Sequence, residues 1–440
     1  MFKKFILIIL VLLIAPVSFA VDVNDLNIDF FNRFNDDYLT QYIEEALENN
    51  HNAKQATARV EEYRQGVKIQ FANELPTFGV SAGYLGINFP DINPAVSNIN
   101  KNNFVLPFVA SYEADLLLKN RDKTKSAKKT YEMSKFDEQT VYLALVSDVA
   151  TVYTNILEYD KLINEQEKII KNNSQILNDT NKKFAHGVIN STELNKAKNN
   201  VETSKIVLEN LKKQREVILM QFAVLLGRSA DCASNIERGN IDNFEYNAVI
   251  PSEIESDIIF SRPDVKRAET ALEKAKIDIR VARKEFLPKF NITGIWAFNT
   301  IAPGSFFSWE SSLAALLAGA TQDIFTGGRK IANLKFQKAK YEELFEQYKQ
   351  VDLNAVKEVN TSLCIIKHDT NIEKQTKEKL NLETKNLKSA DKMLNHGVIS
   401  KTQYLNSENS YINKDMDLTK AKTQRLVNYY TLYKTVGGKI

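Results

Sequence analysis

The chain has 440 residues and a formal net charge of +3, with 58 Lys and Arg residues against 55 Asp and Glu residues. Lys and Glu alternate along the polar stretches, so no basic stripe indicates nucleic acid binding. Only 15 Gly and 9 Pro residues occur, and the abundance of Lys, Asn, Glu, Leu and Ile favours long helices. No metal-binding His-Glu-x-x-His or Cys-x-x-Cys pair and no phosphate-binding glycine loop occur in the sequence, so we predict neither an enzyme nor a cofactor.

The first residues are typical of a secretory signal peptide. Two lysines precede an apolar run from Phe5 to Ile14, and small residues follow at positions 18 and 20. We predict that residues 1–20 form this peptide. A membrane anchor is the alternative, but the run is shorter than the ~20 residues of a spanning helix. Residue 21 is Val rather than Cys, so no lipid-modified amino terminus is expected.

The mature chain is predicted to open with a polar segment, Val21 to Asp36, and a helix from about Tyr38 to Ala72. From Thr77 the apolar period changes to two, which is the period of a strand with one apolar face and one small, polar face. A second alternating run extends from Phe104 to Tyr112. The two runs predict a β-hairpin over residues 76–115.

Helical periodicity then continues to Phe184 without Pro or Gly. About 65 residues at 1.5 Å each predict a rod of roughly 100 Å. Its apolar residues recur at spacings of four and three, as in helices that pack along each other in a coiled coil. A returning helix with the same pattern is predicted to end at Gly227.

A turn motif between such helices occurs twice. His186-Gly187-Val188-Ile189 returns as His396-Gly397-Val398-Ile399. Glycine closes a helix in the left-handed conformation, and the hydroxyls of Ser191 and Thr192, or of Ser400 and Thr402, are expected to cap the next helix. Two copies, about half the chain apart, indicate a duplicated fold.

The second half repeats the first. Residues 228–260 are predicted to form a less regular connecting region, after which Ser261-Arg262-Pro263-Asp264 indicates a helix start with Ser as the cap. Strands are predicted over 291–299 and about 309–325, within a hairpin at 288–325. The repeats are therefore residues 21–227 and 261–440, each with a helix, a hairpin and a long helical hairpin whose tip lies near residue 187 or 397.

The four predicted strands are each long enough to cross a bilayer at a tilt. A membrane-spanning sheet must close, and single-chain barrels begin at about eight strands. Chains must therefore pool their strands, and three chains would supply twelve. The alternative is that the hairpins decorate a soluble helical bundle. Aromatic residues near the strands favour the membrane: Phe89, Phe104, Phe108, Tyr112, Trp296, Phe306, Phe307 and Trp309.

The stretch from Ser261 through Ala268-Glu269, Phe286, Pro288 and Ile292-Thr293-Gly294 resembles the signature of the TolC-like outer membrane factors. It is most similar to the branch that serves resistance-nodulation-division drug pumps. Phe325-Thr326-Gly327-Gly328-Arg329 and both Gly-Val turns also match, and the similarity covers nearly the whole mature chain.

The resemblance implies a mainly helical fold with a transmembrane β-barrel. A homotrimer would form a 12-stranded barrel in the outer membrane and a 12-helix tunnel in the periplasm. The implied function is passive conduction of drugs or other small molecules. The implied partners are an inner-membrane pump of the resistance-nodulation-division type, a periplasmic membrane fusion (adaptor) protein and outer membrane lipid.

The resemblance also assigns roles to particular residues. The adaptor would dock at the two tips, and the flanking helices would form the periplasmic gate. Relatives carry carboxylates after the second tip, where this chain has the amides Gln403 and Asn406. The docking residues would be His186, Gly187, Val188, His396, Gly397 and Val398. The gate candidates are Glu193, Gln403, Asn406, Lys182, Lys183 and Lys392.

Two further interpretations concern His and Cys. Six imidazoles in a trimer, from His186 and His396, would suffice for a transition metal or a pH response, but no second ligand spacing accompanies either residue, so no metal site is predicted. Cys232 and Cys364 are the only cysteines, and export permits a disulfide between them.

Two alternatives to drug efflux remain. One is the outer membrane duct of a type I protein secretion system, which shares this architecture. The other is a coiled-coil scaffold of the cell surface that conducts nothing. The alternating hairpins and the Arg-Pro-Asp helix start favour a duct.

Overall fold

The computed structural model describes residues 27–86, 102–231, 236–251, 253–300 and 307–439. The predicted signal peptide, Phe89, Phe306 and Cys232 lie outside these residues. Cys364 is exposed and has no disulfide partner among the described residues, so its pairing with Cys232 stays a prediction.

The described chain is mainly helical, with long helices in both halves. The helices are α1 (Asp29–Asn32), α2 (Asp37–Asn49), α3 (His51–Ala72), α4 (Lys119–Ala185), α5 (Ser191–Leu225), α6 (Ser256–Phe260), α7 (Pro263–Lys284), α8 (Arg329–Asn395) and α9 (Lys401–Thr435). Both α4 and α8 have 67 residues, and both α5 and α9 have 35. The equal lengths agree with a duplicated chain.

Five strands form one antiparallel sheet. They are β1 (Thr77–Val80), β2 (Gly83–Gly86), β3 (Asn102–Ala114), β4 (Lys289–Thr300) and β5 (Ser312–Thr321). The order is β1-β3-β4-β5, and β2 pairs with β3 on the same side as β1. The first predicted strand is thus interrupted at residues 81 and 82, while β3 joins the two halves of the chain through its pairing with β4.

The strands lie where the alternating pattern predicts them, with different ends. The last strand stops at Thr321 rather than Phe325, and Trp309 begins a short 3₁₀ turn before it. Trp309 is the apolar residue of this turn and does not belong to the strand, because pattern alone does not reveal where ladder pairing begins and ends.

The chain divides into two compact units, each built from segments of both halves. One comprises Met1–Thr57, Glu138–Arg262 and Val356–Ile440, and the other comprises Ala58–Asp137 and Pro263–Ala355. The sheet and α7 lie in the second unit, and α5 and α9 lie in the first. A sequence repeat is therefore not a spatial domain.

An aromatic cluster forms part of the core of the first unit. Phe30, Phe31 and Phe34 are at most 1% exposed, and their rings contact those of Tyr430 and Tyr433. The prediction of a polar segment over Val21 to Asp36 is therefore wrong for its described end. Only one short helix forms there, so the sequence offered too few turns for a periodic signal.

The predicted helix from Tyr38 to Ala72 is broken at Asn50. The backbone of Asn50 is extended, and its side-chain oxygen accepts from the backbone N–H groups of Asn52 and Ala53, which starts α3. Its amide also donates to the carbonyl of Leu225, 2.9 Å away. Gly227 has φ +74°, and a Cβ there would lie 2.5 Å from the carbonyl oxygen of Asn49. Close packing against the end of α5 thus accompanies the break.

The connecting region is fastened to the long helices by charged side chains. Lys161 on α4 lies 2.6 Å from Asp242 and 3.0 Å from Asp415 of α9. Burial opposes the charge of Lys161, but these two carboxylates outweigh it and raise its pKa. Lys422 of α9 donates to the carbonyl of Ile241, 2.8 Å away, and burial lowers the pKa of this lysine. These side chains thus help to hold an irregular segment whose backbone also forms an isolated antiparallel bridge between Phe34 and Tyr246.

In the second unit, α7 packs beside the start of α4. Asp122, which is 3% exposed, accepts from Lys284 at 2.7 Å and lies 3.3 Å from Arg280. The hydroxyl of Ser126 donates to Asp278 at 2.6 Å. These contacts fix the bases of the two hairpins, since α4 follows β3 and α7 precedes β4.

The predicted helix start at Ser261-Arg262-Pro263-Asp264 is confirmed for Pro263 and Asp264, but the prediction that Ser261 is its cap is wrong. Pro263 begins α7, and Asp264 lies in its first turn. Ser261 is the C-cap of α6 instead, and its hydroxyl donates to the carbonyl of Ile258 at 2.7 Å. A preceding short helix therefore uses the serine that the motif assigned to α7.

One stretch of α4 is long and apolar enough to cross a membrane by length and composition alone. However, 61% of that stretch is buried inside the structure. Such burial is typical of a core helix that is covered by its neighbours.

Candidate functional site

The first tip, between α4 and α5, is a Schellman turn. Gly187 has φ +70°, its N–H donates to the carbonyl of Phe184 at 2.9 Å, and the N–H of Val188 donates to the carbonyl of Lys183 at 2.9 Å. These bonds satisfy the last carbonyls of α4. The Val188 side chain is left 70% exposed.

The second tip, between α8 and α9, has the same geometry. Gly397 has φ +72°, its N–H donates to Leu394 at 2.9 Å, and the N–H of Val398 donates to Met393 at 2.8 Å. Val398 is 68% exposed. A single exposed valine has no special meaning, but the same exposure at both tips makes two similar apolar points at the ends of the helical hairpins.

The helices after the tips are capped differently. Asn190 caps α5, and its side chain accepts from the N–H of Glu193 at 3.0 Å, so the prediction of caps from Ser191 and Thr192 is wrong. Asn accepts as well as Ser at this position and stands one residue earlier. Ser400 caps α9 as predicted.

Ser400 and Gln403 form a reciprocal capping box. The N–H of Gln403 donates to the Ser400 hydroxyl at 3.3 Å, and the Gln403 side-chain oxygen accepts from the N–H of Ser400 at 2.8 Å. The side chain of the gate candidate Gln403 is therefore hydrogen-bonded within the first turn of its own helix.

The other gate candidates are exposed. Glu193 lies on the first turn of α5, Asn406 lies on the second turn of α9, and Lys182, Lys183 and Lys392 lie in the last turns of α4 and α8. The lysines stand at the negative ends of the helix dipoles. Among the described residues, hydrogen bonds connect docking and gate candidates of the same tip. None of these hydrogen bonds connects a candidate of one tip with a candidate of the other.

The two tip histidines are also exposed. Their backbone N–H groups continue the helical bonding, from His186 to Lys182 at 3.2 Å and from His396 to Lys392 at 3.1 Å. Within the described parts of the chain, no group of three or more His, Cys, Asp or Glu residues is placed to hold a metal.

A polar network links α4, α5 and α9 at some distance from the tips. The amide of Asn172 donates to Glu408 and to Asn409, each at 3.0 Å, and Asn409 donates to Asn173 at 2.9 Å. Asn173 donates in turn to the Ser204 hydroxyl at 2.7 Å. These residues are not predictable as a network from the sequence, in which their only signal is a pair of asparagines on a coiled-coil helix.

The sheet has two chemically different faces. One, which we call the aromatic face, carries Phe78, Val80, Tyr84, Phe104, Leu106, Phe108, Ala110, Tyr112, Phe290, Ile292, Trp296, Phe298 and Leu316. The other, the small-residue face, carries Thr77, Gly79, Pro107, Val109, Ser111, Glu113, Asn291, Thr293, Ile295, Ala297, Leu313, Ala315, Leu317 and Gly319. Ring contacts, such as Phe108 with Trp296 at 6.2 Å, occur on the aromatic face. The predicted division of the first strand into an apolar and a small, polar face is confirmed.

Residues 79–83 read Gly-Val-Ser-Ala-Gly and have the Gly-x-Ser-x-Gly spacing of a hydrolase nucleophile. That motif requires a sharp turn from a strand into a helix. Ser81 instead lies between β1 and β2, and its N–H donates to the carbonyl of Pro107 at 3.1 Å. Ser81 therefore lacks the strand-to-helix turn that a hydrolase nucleophile requires.

Arg262 of the signature stretch ties the end of α9 to α8. It is 8% exposed, and it donates to the carbonyl of Thr435 at 3.0 Å and to the carboxylate of Glu358 at 2.7 Å. The fork of donors on arginine suits two acceptors at once. Its role in the first compact unit is structural.

The family model described as "Outer membrane efflux protein" matches residues 42–228 and 256–438. The chain belongs to the outer membrane efflux protein family. This efflux channel component is located in the outer membrane and is not an enzyme. The family also implies that it works with an adaptor and a pump.

Curated relatives extend the comparison. Cation efflux system protein CusC of Escherichia coli (strain K12) is 26% identical over 409 residues, which are 92% of this chain and 87% of the relative. Toluene efflux pump outer membrane protein TtgC of Pseudomonas putida is 24% identical over 412 residues, which are 92% of this chain and 84% of that protein.

Solved structures have the same fold. The Campylobacter jejuni CmeC outer membrane channel matches with a TM-score of 0.85 and 21% identity, and the match covers 97% of this chain and 94% of that chain. The open state of the Neisseria gonorrhoeae MtrE outer membrane channel matches with a TM-score of 0.81 and 23% identity, over 94% and 92% of the two chains.

Proposed function

We propose that three copies of this efflux protein close a 12-stranded barrel in the outer membrane and continue it as a 12-helix tunnel into the periplasm. The supporting observation is the open sheet: among the described strands, β1 with β2 forms one edge and β5 forms the other. Lipid cannot satisfy the hydrogen bonds of such edges. Pairing β5 of one copy with β1 of the next removes every edge and places the aromatic face against lipid.

The two tips are the proposed docking points for the periplasmic adaptor. Val188 and Val398 offer exposed apolar side chains at the ends of the helical hairpins, next to exposed histidines and lysines. The apolar points supply contact area, and the polar rim supplies orientation. Through this contact the channel would receive substrates from an inner-membrane pump of the resistance-nodulation-division type.

The periplasmic gate is proposed to lie in the first turns after the tips and the last turns before them. Glu193 and Asn406 have exposed polar side chains there, whereas Gln403 is held in its capping box. Lys182, Lys183 and Lys392 supply positive charge close by. A gate built from these groups has one carboxylate per copy among its candidates, so its cation binding should be weak.

The cargo is proposed to be drugs or other small molecules that move passively. The names of the relatives divide between cations, for CusC, and an organic solvent, for TtgC. The pump and the adaptor select most of the cargo, and the wall of the barrel adds a further selection.

Oligomer mass and single-channel conductance test this proposal. We expect the protein purified from outer membranes to have the mass of a trimer in detergent, and to give a small conductance in a planar bilayer. A monomer that never inserts would refute the shared barrel.

Cross-linking tests the edge pairing directly. After Cys232 and Cys364 are replaced by Ser, Phe78→Cys on β1 is combined in turn with Ala314→Cys, Leu316→Cys or Ala318→Cys on β5, all on the aromatic face. At least one pair should give covalent dimers and trimers on oxidation. The matched control, Ala110→Cys with Gly294→Cys, pairs β3 with β4 within one chain and should give monomers.

A further inference from the structure

The small-residue face of the sheet changes character along its strands. Near the helical end its rows across the sheet are mainly polar: Glu113 pairs with Asn291, and Thr77, Ser111 and Thr293 share a row that ends at the apolar Leu317 of β5. Lys289 pairs with Thr321 at the same end. Such side chains are ordinary for the interior of a transmembrane barrel, which is usually polar.

The next two rows of this face are mainly apolar, although Ser81, whose N–H donates to the carbonyl of Pro107 at 3.1 Å, lies at the β1 end of the second row. Cα register aligns Gly79, Val109, Ile295 and Ala315 in one row and Pro107, Ala297 and Leu313 in the next. We call these seven residues the apolar collar. None of them has a charge, a hydroxyl or a metal-ligating atom in its side chain.

Packing within one copy explains only part of the collar, such as Ala297, which is 9% exposed. Leu313 is 63% exposed, and Val109 and Ile295 are each partly exposed. The opposite face already carries the aromatic side chains that suit lipid. An apolar surface on the remaining face therefore needs another reason, because a barrel interior gains nothing from aliphatic residues that contact only water.

We propose that the apolar collar makes the barrel selective for amphiphilic organic molecules over hydrated metal cations. This inference rests on the proposed trimer, in which the small-residue face lines the lumen. Rows on one face lie about 6.7 Å apart along a strand, so three copies would form two stacked, mainly apolar rings. The collar residues shelter the apolar part of a passing molecule from water, and their side chains offer no ligand to a cation.

The test compares two cations of equal charge as blockers of single-channel current in planar bilayers. The full-length trimer is exposed on its extracellular side to tetraphenylphosphonium, whose charge is surrounded by four apolar phenyl rings, or to tetramethylammonium, which is small and has little apolar surface. We expect tetraphenylphosphonium to dwell at least tenfold longer, and Zn²⁺ alone to cause no resolved block. Equal dwell times of the two organic cations in the parent protein would overturn the proposal, as would a long block by Zn²⁺.

Variants locate the effect. Val109→Thr with Ile295→Thr keeps two β-branched side chains in their strands but adds hydroxyls, and should shorten the tetraphenylphosphonium dwell three- to tenfold. Ser111→Val extends the collar by one position and should lengthen the tetraphenylphosphonium dwell time. Misfolding would not produce a longer dwell time. The matched control is Ala110→Ser, the neighbour on the aromatic face, which should leave the dwell unchanged.

The outcomes separate this inference from the proposed function. A conducting trimer whose dwell times do not respond to the collar variants overturns the collar alone. If the dwell time changes with Ala110→Ser but not with Val109→Thr, the aromatic face rather than the small-residue face lines the lumen. That result also overturns the collar proposal. A protein that forms no trimer and conducts no current overturns the proposed function, and the collar with it.

Discussion

The hydroxyl of Tyr153 lies 3.0 Å from both carboxylate oxygens of Asp36, to which it donates, and accepts from the N–H of Gly239 at 3.1 Å. Asp36 also caps α2 by accepting from the N–H of Leu39. One buried phenol therefore joins α4, the start of α2 and the connecting region. Removing it leaves a half-buried carboxylate and a backbone N–H without their shared partner.

We predict that Tyr153→Phe lowers the free energy of unfolding by about 1–3 kcal/mol, because buried polar groups lose a hydrogen bond that water does not replace. Tyr63→Phe, at a tyrosine that is 39% exposed, is the control and should change stability little. Thermal unfolding followed by circular dichroism measures both. Equal midpoints for the two variants would contradict the prediction.

The pH dependence of stability should report on Asp36. Burial raises the pKa of Asp36 above its ordinary value of 3.8, against the opposing hydrogen bonds from Leu39 and Tyr153. The folded protein thus binds this proton more tightly than the unfolded chain does, so ionisation of Asp36 costs stability as the pH rises from about the ordinary value through the raised one. Above that window the cost is constant.

Asp36→Asn should remove this cost while preserving the cap, because asparagine caps helices as well as aspartate does. The variant should therefore gain stability relative to the parent protein as the pH rises from about 4 to 7. Unfolding midpoints measured across that range test this. A difference that is constant with pH would show that Asp36 has the same pKa in both states.

The contacts of Arg262 with Thr435 and Glu358 should make lysine a poor replacement. Arg262→Lys cannot reach both the Thr435 carbonyl and the Glu358 carboxylate with one ammonium group, and we expect a loss of about 2–3 kcal/mol. The matched control is Arg267→Lys, on α7 but 42% exposed and paired with Asp137. That change should cost less than about 1 kcal/mol. Similar losses at both positions would argue against a special role for Arg262.

The tip glycines should not tolerate a Cβ. Gly187→Ala and Gly397→Ala each force alanine into the left-handed conformation, which costs roughly 1–2 kcal/mol, although nothing lies within 4 Å of the added atom. Gly66→Ala in α3 also meets nothing within 4 Å and should stabilise the protein by up to about 1 kcal/mol, because alanine is the better helix former. Opposite shifts of the melting midpoint are therefore expected, and shifts of the same sign would refute this account.

The gate candidates should differ in their effect on ion selectivity. Asn406→Asp adds an exposed carboxylate and should increase cation selectivity in a salt gradient, as measured by the reversal potential. Gln403→Glu should have a smaller effect, because a glutamate at that position can keep the capping box with Ser400. If Gln403→Glu shifts the reversal potential more than Asn406→Asp does, Gln403 is the better candidate for the wall of the gate.

Periodic features were predictable from the sequence. Both tips, the long helices and the alternating strands appear at their predicted places because each rests on local geometry: a glycine at positive φ, or an apolar period of 3.6 or two. The spacing of His-Gly-Val-Ile, in particular, indicated the duplication that the equal helix lengths display.

Features that depend on distant contacts were not predictable in this way. Phe30 and Phe31 are buried by α9, from the far end of the chain, and Asn50 breaks a helix where it meets the end of α5. Val109 is aligned with Ile295 by the long-range pairing of β3 with β4, and no local sequence pattern encodes that register. The apolar collar became visible only when this register was known.

The pairing of β3 with β4 also determines when the sheet can form. Phe108 and Trp296 are partners although nearly half the chain separates them, so β3 is synthesised well before its neighbour. Until then, a strand with aromatic side chains has an open edge, which invites pairing with other chains. Closing so long a loop is slow. We therefore expect the first hairpin to be the segment of the nascent protein that most needs protection from aggregation until the second hairpin is made.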